Sequence, residues 1–190
     1  DDIPDDKKPD HARVGEVLYR TAKELQGYIS KLEEIRVPVI AAVHGGVIGG
    51  ALDLITACDM RFASSDAFFC IQEINIGMAA DVGTLQRLPK IIPDSKMREM
   101  AYTGRRMLAD EAKDSGLVGE VYETQDEMLD AVHKLAAEIA SKSPVAIYGL
   151  KAVMNYSRDH NVSDSLDFNA LWSGAMLSQA DMTEAMTAQM

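Results

Sequence analysis

The fold is decided by one stretch of the chain, residues 39–59, which read VIAAVHGGVIGGALDLITACD. It opens with an apolar run at 39–43 that contains no polar side chain, which predicts a strand buried on both faces. A turn with four glycines follows, and the largely apolar residues after it predict a helix over 52–59. A buried strand, a glycine-rich turn and a helix in this order indicate an α/β fold.

Hydrophobic spacing on either side of this stretch predicts the other elements. Apolar residues recur every three or four positions from Val14 to Ile35, which predicts a long amphipathic helix with charges on its other face. Short apolar runs predict strands at 60–63 and 68–71. Further helices are predicted at 83–88, 95–102, 127–141, 144–156 (opened by Pro144) and 163–190 (capped by Ser163 or Asp164).

The order of these elements divides the chain into three parts. Residues 1–13 are polar, contain two prolines and are predicted to form a loop or a frayed terminus. Residues 14–140 alternate strands and helices and are predicted to form the α/β core. Residues 141–190 are predicted to form a helical C-terminal region.

Charge and composition exclude several classes of function. The chain has 190 residues and a formal net charge of -11, which disfavours nucleic-acid binding. No run of about 18 apolar residues occurs, so no membrane span is predicted. The acidic N-terminus has no signal-peptide pattern, which favours an intracellular protein. We expect the cytoplasm of a bacterium, with a mitochondrion or a peroxisome as the alternatives.

Neither a metal site nor a bound nucleotide is predicted. The four histidines and two cysteines have no metal-ligand spacing. The glycines of the decisive stretch match neither a phosphate-binding loop with its GK[ST] ending nor the G-x-G-x-x-G dinucleotide pattern. We therefore expect no metal and no redox cofactor.

The glycine-rich turn is itself a candidate site. Gly49 and Gly50 stand where the helix begins, so backbone N–H groups there lack partners and could stabilise an oxyanion. The alternative is a tight turn that needs small residues only for packing, and composition alone favours that alternative.

Three carboxylates, Asp53, Glu73 and Asp81, stand among apolar residues. Burial disfavours the charged form of a carboxylate, which suits such a group to proton transfer. Each also has a structural alternative: Asp53 at a helix N-terminus, Glu73 paired with an arginine, and Asp81 as the cap of the helix at 83–88. Taken singly, each structural role is the simpler explanation, and the clustering of the three favours catalysis.

These residues resemble a known family. Residues 40–60 are similar at every constrained position to the signature of the enoyl-CoA hydratase/isomerase (crotonase) family, and residues 83–89, 104–112 and 116–121 also look like it. The resemblance extends over nearly the whole chain after Asp10. It is greatest to the branch that isomerises Δ3,5-dienoyl-CoA to Δ2,4-dienoyl-CoA, because Asp81 stands where hydratases usually have glycine.

The resemblance implies a fold and a reaction. The fold would be a spiral of ββα units with a C-terminal helical trimerisation region, and the N-terminal part of that fold would be missing from this chain. The reaction would be a 1,5 proton shift in fatty-acid β-oxidation. Glu73 would remove a proton from C2, Asp81 would deliver one at C6, and Asp53 would assist electrostatically. The oxyanion and substrate-binding loop would contain Val47, Gly49 and Gly50, with the N–H of Gly50 as donor.

The resemblance also implies partners and leaves two alternatives. An acyl-CoA thioester would be the substrate, and the protein would form a trimer or a pair of trimers. The first alternative is a 2-enoyl-CoA hydratase, which is disfavoured because Asp53 is shorter than the usual glutamate. The second is a non-catalytic binding protein with this fold, which the intact set of three carboxylates disfavours.

Overall fold

The computed structural model describes residues 10–188. The helices are α1 (His11–Glu34), α2 (Gly50–Thr56), α3 (Thr84–Arg87), α4 (Asp94–Thr103), α5 (Ala109–Asp114), α6 (Gln125–Ala140), α7 (Pro144–Asp159), α8 (Val162–Met176) and α9 (Gln179–Ala188). The strands are β1 (Ile40–Val43), β2 (Gly46–Ile48), β3 (Met60–Ser64), β4 (Phe68–Cys70), β5 (Met107–Leu108) and β6 (Glu120–Tyr122). Two 3-10 turns occupy Glu73–Ile76 and Leu88–Lys90.

The strands form two three-stranded sheets, which confirms the predicted α/β class. One sheet has the order β1-β3-β6 and is parallel throughout. The other has the order β2-β4-β5, with β2 and β4 parallel and β4 and β5 antiparallel. From β1 to β4, successive strands alternate between the sheets, so the glycine-rich turn carries the chain from one sheet to the other.

The buried core is built from both sheets and the short helices. Leu52 of α2, Phe69 of β4, Met100 of α4 and Met107 of β5 are fully buried and belong to one apolar cluster. This packing places the start of α2 beside the end of β4, and the candidate site is formed there.

The glycine-rich segment contains a strand that the sequence analysis did not predict. Residues of β2 pair with β4 in the register Gly46–Phe68, Val47–Phe69. Val47 is buried in the core, so its side chain contributes packing, and only its backbone is available to a ligand. Glycine disfavours strands in isolation, but a long-range partner outweighs that preference here.

Strand β1 is less buried than predicted. Of its residues only Ala41 is buried, and the other three are partly exposed. Helix α6 packs against this sheet, and β1 forms its edge among the described residues. An edge strand has only one neighbouring strand to cover it, which accounts for the difference.

Both ends of the described chain differ from prediction. Residues 1–9 lie outside the described residues, but residues 11–13, predicted as loop, form the first turn of α1. Asp10 caps this turn by accepting a hydrogen bond from the Ala12 N–H at 2.9 Å. The last predicted helix is two helices that break after Met176, and Asn161 caps the first of them in place of Ser163 or Asp164.

Helix α1 has the predicted apolar spacing, but most of that face is exposed, and Leu32 near the C-terminal end of the helix packs against the core. None of its residues is buried, and Val17 and Leu18 are 63% and 64% exposed. Among the described residues, no helix is long and apolar enough to cross a membrane.

Candidate active site

The site begins at the turn into α2. Gly49 has φ +55° and ψ −121°, a backbone conformation that residues with a side chain rarely adopt. Its N–H donates to the Cys70 carbonyl at 3.0 Å, which holds the turn against the end of β4. Among residues 10–188, the N–H groups of Gly50 and Ala51 find no acceptor, as expected for the first turn of a helix. Two backbone donors are therefore available here.

Glu73 lies directly against this turn. It follows β4 and begins the first 3-10 turn, and a Cβ placed on Gly49 would lie 3.0 Å from the Glu73 Oε1 atom. Its side chain is partly exposed and forms neither a hydrogen bond nor an ion pair with any described residue. The alternative in which an arginine neutralises Glu73 is thus not observed in the described part of the chain. A free carboxylate and free N–H groups share one small region.

Asp53 is the buried member of the three carboxylates. Its side chain is fully buried in the first turn of α2, and Oδ1 accepts a hydrogen bond from the Thr84 N–H at 2.5 Å. Its Oδ2 atom has no hydrogen-bond partner among the described residues. The contact joins α2 to the start of α3, three residues after Asp81. Asp53 therefore lies in the first turn of α2, and its carboxylate also accepts a hydrogen bond from the first residue of α3.

Asp81 does not lie in the apolar environment that its neighbours in sequence predicted. It is exposed, because residues 77–79 before it also lie on the surface. It is not the cap of α3 either, since Gly83 takes that position and Asp53 accepts the Thr84 N–H. The Asp81 carboxylate forms no hydrogen bond with any described residue, and its backbone carbonyl accepts one from Gln26 Nε2 at 2.7 Å.

Two contacts connect the segments that carry the predicted site residues. Glu73 lies against Gly49 beside the exposed Gly50, and Asp53 holds the segment that carries Asp81. Glu73 and Asp53 thus lie at the beginning of α2, whereas Asp81 is exposed and is linked to α2 through the Asp53–Thr84 hydrogen bond. Such an arrangement offers a base, oxyanion donors and a second acid, which together suit proton transfer on a carbonyl compound.

Two residues that the sequence analysis missed hold the acidic segments. Gln26 of α1 binds the Asp81 carbonyl, as described above. Asn75 donates through Nδ2 to the Gly104 carbonyl at 3.2 Å and to Gln72 Oε1 at 3.1 Å, which fixes the turn that carries Glu73. An isolated polar side chain in a helix or a turn has no pattern that would reveal such a distant partner.

The family model described as "Enoyl-CoA hydratase/isomerase" matches residues 15–190. The chain belongs to the enoyl-CoA hydratase/isomerase family. This finding confirms the resemblance inferred from residues 40–60. It also identifies the two alternating sheets and the C-terminal helices as the crotonase-like form of an α/β fold.

Individual members of the family agree with this assignment. The chain is 49% identical over 182 residues to the mitochondrial Delta(3,5)-Delta(2,4)-dienoyl-CoA isomerase of Mus musculus, covering 95% of the chain and 56% of the relative. It is 48% identical over 181 residues to the peroxisomal enzyme of the same name from Arabidopsis thaliana, covering 95% of the chain and 65% of the relative. The chain thus spans less than two thirds of the length of these relatives.

A solved structure shows the same fold. A probable enoyl-CoA hydratase/isomerase from Mycobacterium abscessus superimposes with a TM-score of 0.86 at 31% identity, over 92% of this chain and 68% of that one. The architecture described above is therefore that of experimentally determined family members.

Proposed function

We propose that the protein carrying this chain isomerises a 3,5-dienoyl-CoA to the 2,4-dienoyl-CoA by a 1,5 proton shift, as a step of fatty-acid β-oxidation. Two family members that are 49% and 48% identical to it are named for this reaction. The observation that carries the proposal is the position of Glu73. Its free carboxylate lies beside Gly49 and the unpaired N–H groups at the start of α2.

The chemistry follows from this placement. A thioester carbonyl bound at the Gly50 N–H would make the C2 proton acidic, and Glu73 would take that proton. The electron pair then spreads along the conjugated enolate to C6, where Asp81 supplies a proton. Glu73 is left with one added proton and Asp81 lacks one, and exchange with water restores both, since Asp81 is exposed and Glu73 is partly exposed. The steps balance with no metal and no redox cofactor.

Asp53 distinguishes this reaction from hydration. A hydratase needs two acidic groups that reach the same water molecule, and the family resemblance places Asp53 in one of those positions. Here Asp53 is fully buried and its Oδ1 atom holds the Thr84 N–H. A carboxylate so engaged serves better to support the Asp81 segment than to activate water, so we favour isomerisation over 2-enoyl-CoA hydration.

The proposal includes a homo-oligomer, a trimer or a pair of trimers. Val162, Leu166 and Leu171 of α8 are 76%, 62% and 74% exposed, which is a large apolar surface for a helix. Light scattering of the full-length protein tests this part. For the compartment, relatives named as mitochondrial and peroxisomal proteins support those alternatives over the bacterial cytoplasm.

The deciding experiment follows the ultraviolet absorbance of the conjugated 2,4-diene. The full-length protein is mixed with a 3,5-dienoyl-CoA, and a parallel sample contains a 2-enoyl-CoA to detect hydration. We expect diene absorbance to rise and hydration to be negligible. Hydration alone would favour the hydratase, and binding of acyl-CoA without either reaction would favour a non-catalytic binding protein.

A further inference from the structure

Helix α1 presents three polar side chains to one short segment of the core. Gln26, Ser30 and Glu33 are spaced by four and three residues, so they lie on the same face of the helix. All three contact the segment from Asp81 to Arg87. This polar face, defined by Gln26, Ser30 and Glu33, is distinct from the exposed apolar face of the same helix.

The strongest of these contacts is an ion pair. Arg87 donates to Glu33 through Nε at 3.1 Å and through Nη2 at 2.8 Å, and Nη2 also donates to Ser30 Oγ at 2.9 Å. Both charged side chains are largely buried, and Arg158 adds a further hydrogen bond to Glu33. Burial alone would raise the pKa of Glu33, but the hydrogen bonds from Arg87 and Arg158 outweigh it and hold this pKa below its usual range. Bidentate pairing between an arginine and a carboxylate fixes the relative orientation of the two groups and also strengthens their interaction.

The segment that carries Asp81 is held at three points. Gln26 Nε2 donates to the Asp81 carbonyl at 2.7 Å. The Arg87 guanidinium lies over Gly83, where any Cβ would overlap it. Asp53 accepts the Thr84 N–H. The Asp81 carboxylate itself has no partner among the described residues, so its position depends on these backbone restraints.

We propose that the polar face of α1 positions Asp81 for proton delivery, with Gln26 as the residue that sets its backbone. This proposal rests on the proposed function, in which Asp81 is the acid at C6. Proton transfer requires donor and acceptor within hydrogen-bond reach, and a displacement of about 1 Å can cost about a hundredfold in rate. Gln26 is a positioning residue, because it acts through the Asp81 backbone that it binds.

The test compares two substitutions in the full-length protein. Leucine is similar in size to glutamine and is also a good helix former, so Gln26→Leu removes only the Nε2 hydrogen-bond donor. Gln86→Leu is the matched control, because Gln86 is exposed on α3 and its side chain forms no hydrogen bond within residues 10–188. Both variants are assayed for diene formation and for deuterium incorporation at C2 of the substrate in heavy water.

Deuterium incorporation at C2 needs only Glu73, whereas formation of the conjugated diene also needs Asp81. We expect Gln26→Leu to lower kcat for diene formation about tenfold, as the loss of one hydrogen bond suggests, with KM and C2 exchange nearly unchanged. Gln86→Leu should change neither. Equal diene formation in the two variants would overturn the proposal, and so would an equal fall of C2 exchange and diene formation in Gln26→Leu, since that indicates general distortion.

A second measurement separates this proposal from the proposed function. Backbone amide exchange in a peptide covering residues 78–87 should be about tenfold faster in Gln26→Leu than in wild type or in Gln86→Leu. Unchanged exchange would refute the restraint whatever the enzyme catalyses. A wild-type protein that forms no diene would refute the proposed function, and with it the role of Asp81, while the exchange result would still decide whether Gln26 holds the segment.

Discussion

Lys151 is the residue whose removal should destabilise the protein most clearly. It lies on α7 with a side chain only 3% exposed. Its ammonium group donates to the carbonyls of Leu32 at 2.7 Å and Val37 at 3.0 Å, and to Asp59 Oδ2 at 2.8 Å. All three donors of the ammonium are thus used. The same Asp59 atom accepts the Val39 N–H at 2.7 Å, so one buried cation joins the end of α1, the start of β1 and α7.

Substituting Lys151→Met keeps the length of the side chain and removes the charge. Asp59 then loses its cation, and the carbonyls of Leu32 and Val37 lose a donor. Breaking a buried ion pair at one partner costs about 3–5 kcal/mol, and Asp59, whose side chain is 20% exposed, recovers part of this from water. We expect the free energy of unfolding to fall by about 3 kcal/mol.

Urea unfolding of the full-length protein, followed by circular dichroism, measures this loss. The control is Lys134→Met, because Lys134 is exposed on α6 and forms no ion pair within the described residues; its effect should stay within about 0.5 kcal/mol. The double variant Asp59→Asn, Lys151→Met should be more stable to unfolding than Lys151→Met alone, since no unpaired charge remains at position 59. A loss below about 1 kcal/mol for Lys151→Met would refute the reasoning, because it would mean that water or a rearranged side chain replaces the ammonium.

Three further predictions concern the site and the surface. Asp81→Asn should lower diene formation by about a hundredfold or more while acyl-CoA affinity, measured by calorimetry, stays within about twofold. Gly49→Ala should lower the free energy of unfolding by about 1–3 kcal/mol in urea, because it places a side chain at φ +55° and against the Glu73 carboxylate. Hydrogen bonds from Arg105 lower the pKa of Glu111 from 4.5 to about 2, so the stability from this pair is complete above the ordinary pKa and is lost as pH falls from about 4.5 towards 2. Between about pH 5 and pH 3, wild type should therefore lose more unfolding free energy than Glu111→Gln does.

Most of the fold could be predicted because its elements have local signals. Proline at the first turn of α7 and the periodic apolar residues of α6 mark those helices in the sequence, and the structure places both within a few residues of the prediction. Strand β2 has no such signal: it is three residues long and begins with Gly46. It exists because β4 offers it a partner more than twenty positions away, and such pairing cannot be inferred from local propensity.

The site residues named from the sequence remain predictions, and the structure shows that their environments could not be predicted from their sequence neighbours. Asp53, Glu73 and Asp81 all have apolar neighbours in sequence, yet one is fully buried, one is partly exposed and one is exposed. Sequence neighbours of a helical residue point in other directions, so they do not form its surroundings. The start of α3 supplies the hydrogen-bond partner of Asp53, whereas Asp81 is exposed and α1 contacts only its backbone carbonyl.

Helix α1 makes the same point about packing. Apolar spacing predicts that a helix is amphipathic, and α1 is, but the spacing does not say which face another element contacts. Leu32 of α1 packs against the core, and Gln26, Ser30 and Glu33 contact residues 81–87. Val17 and Leu18 are exposed. Apolar burial is non-directional, whereas the bond from Gln26 to a carbonyl 55 residues away fixes both position and orientation. Polar contacts of this kind therefore fix the position of residues 81–87 more specifically than apolar contact with α1 would.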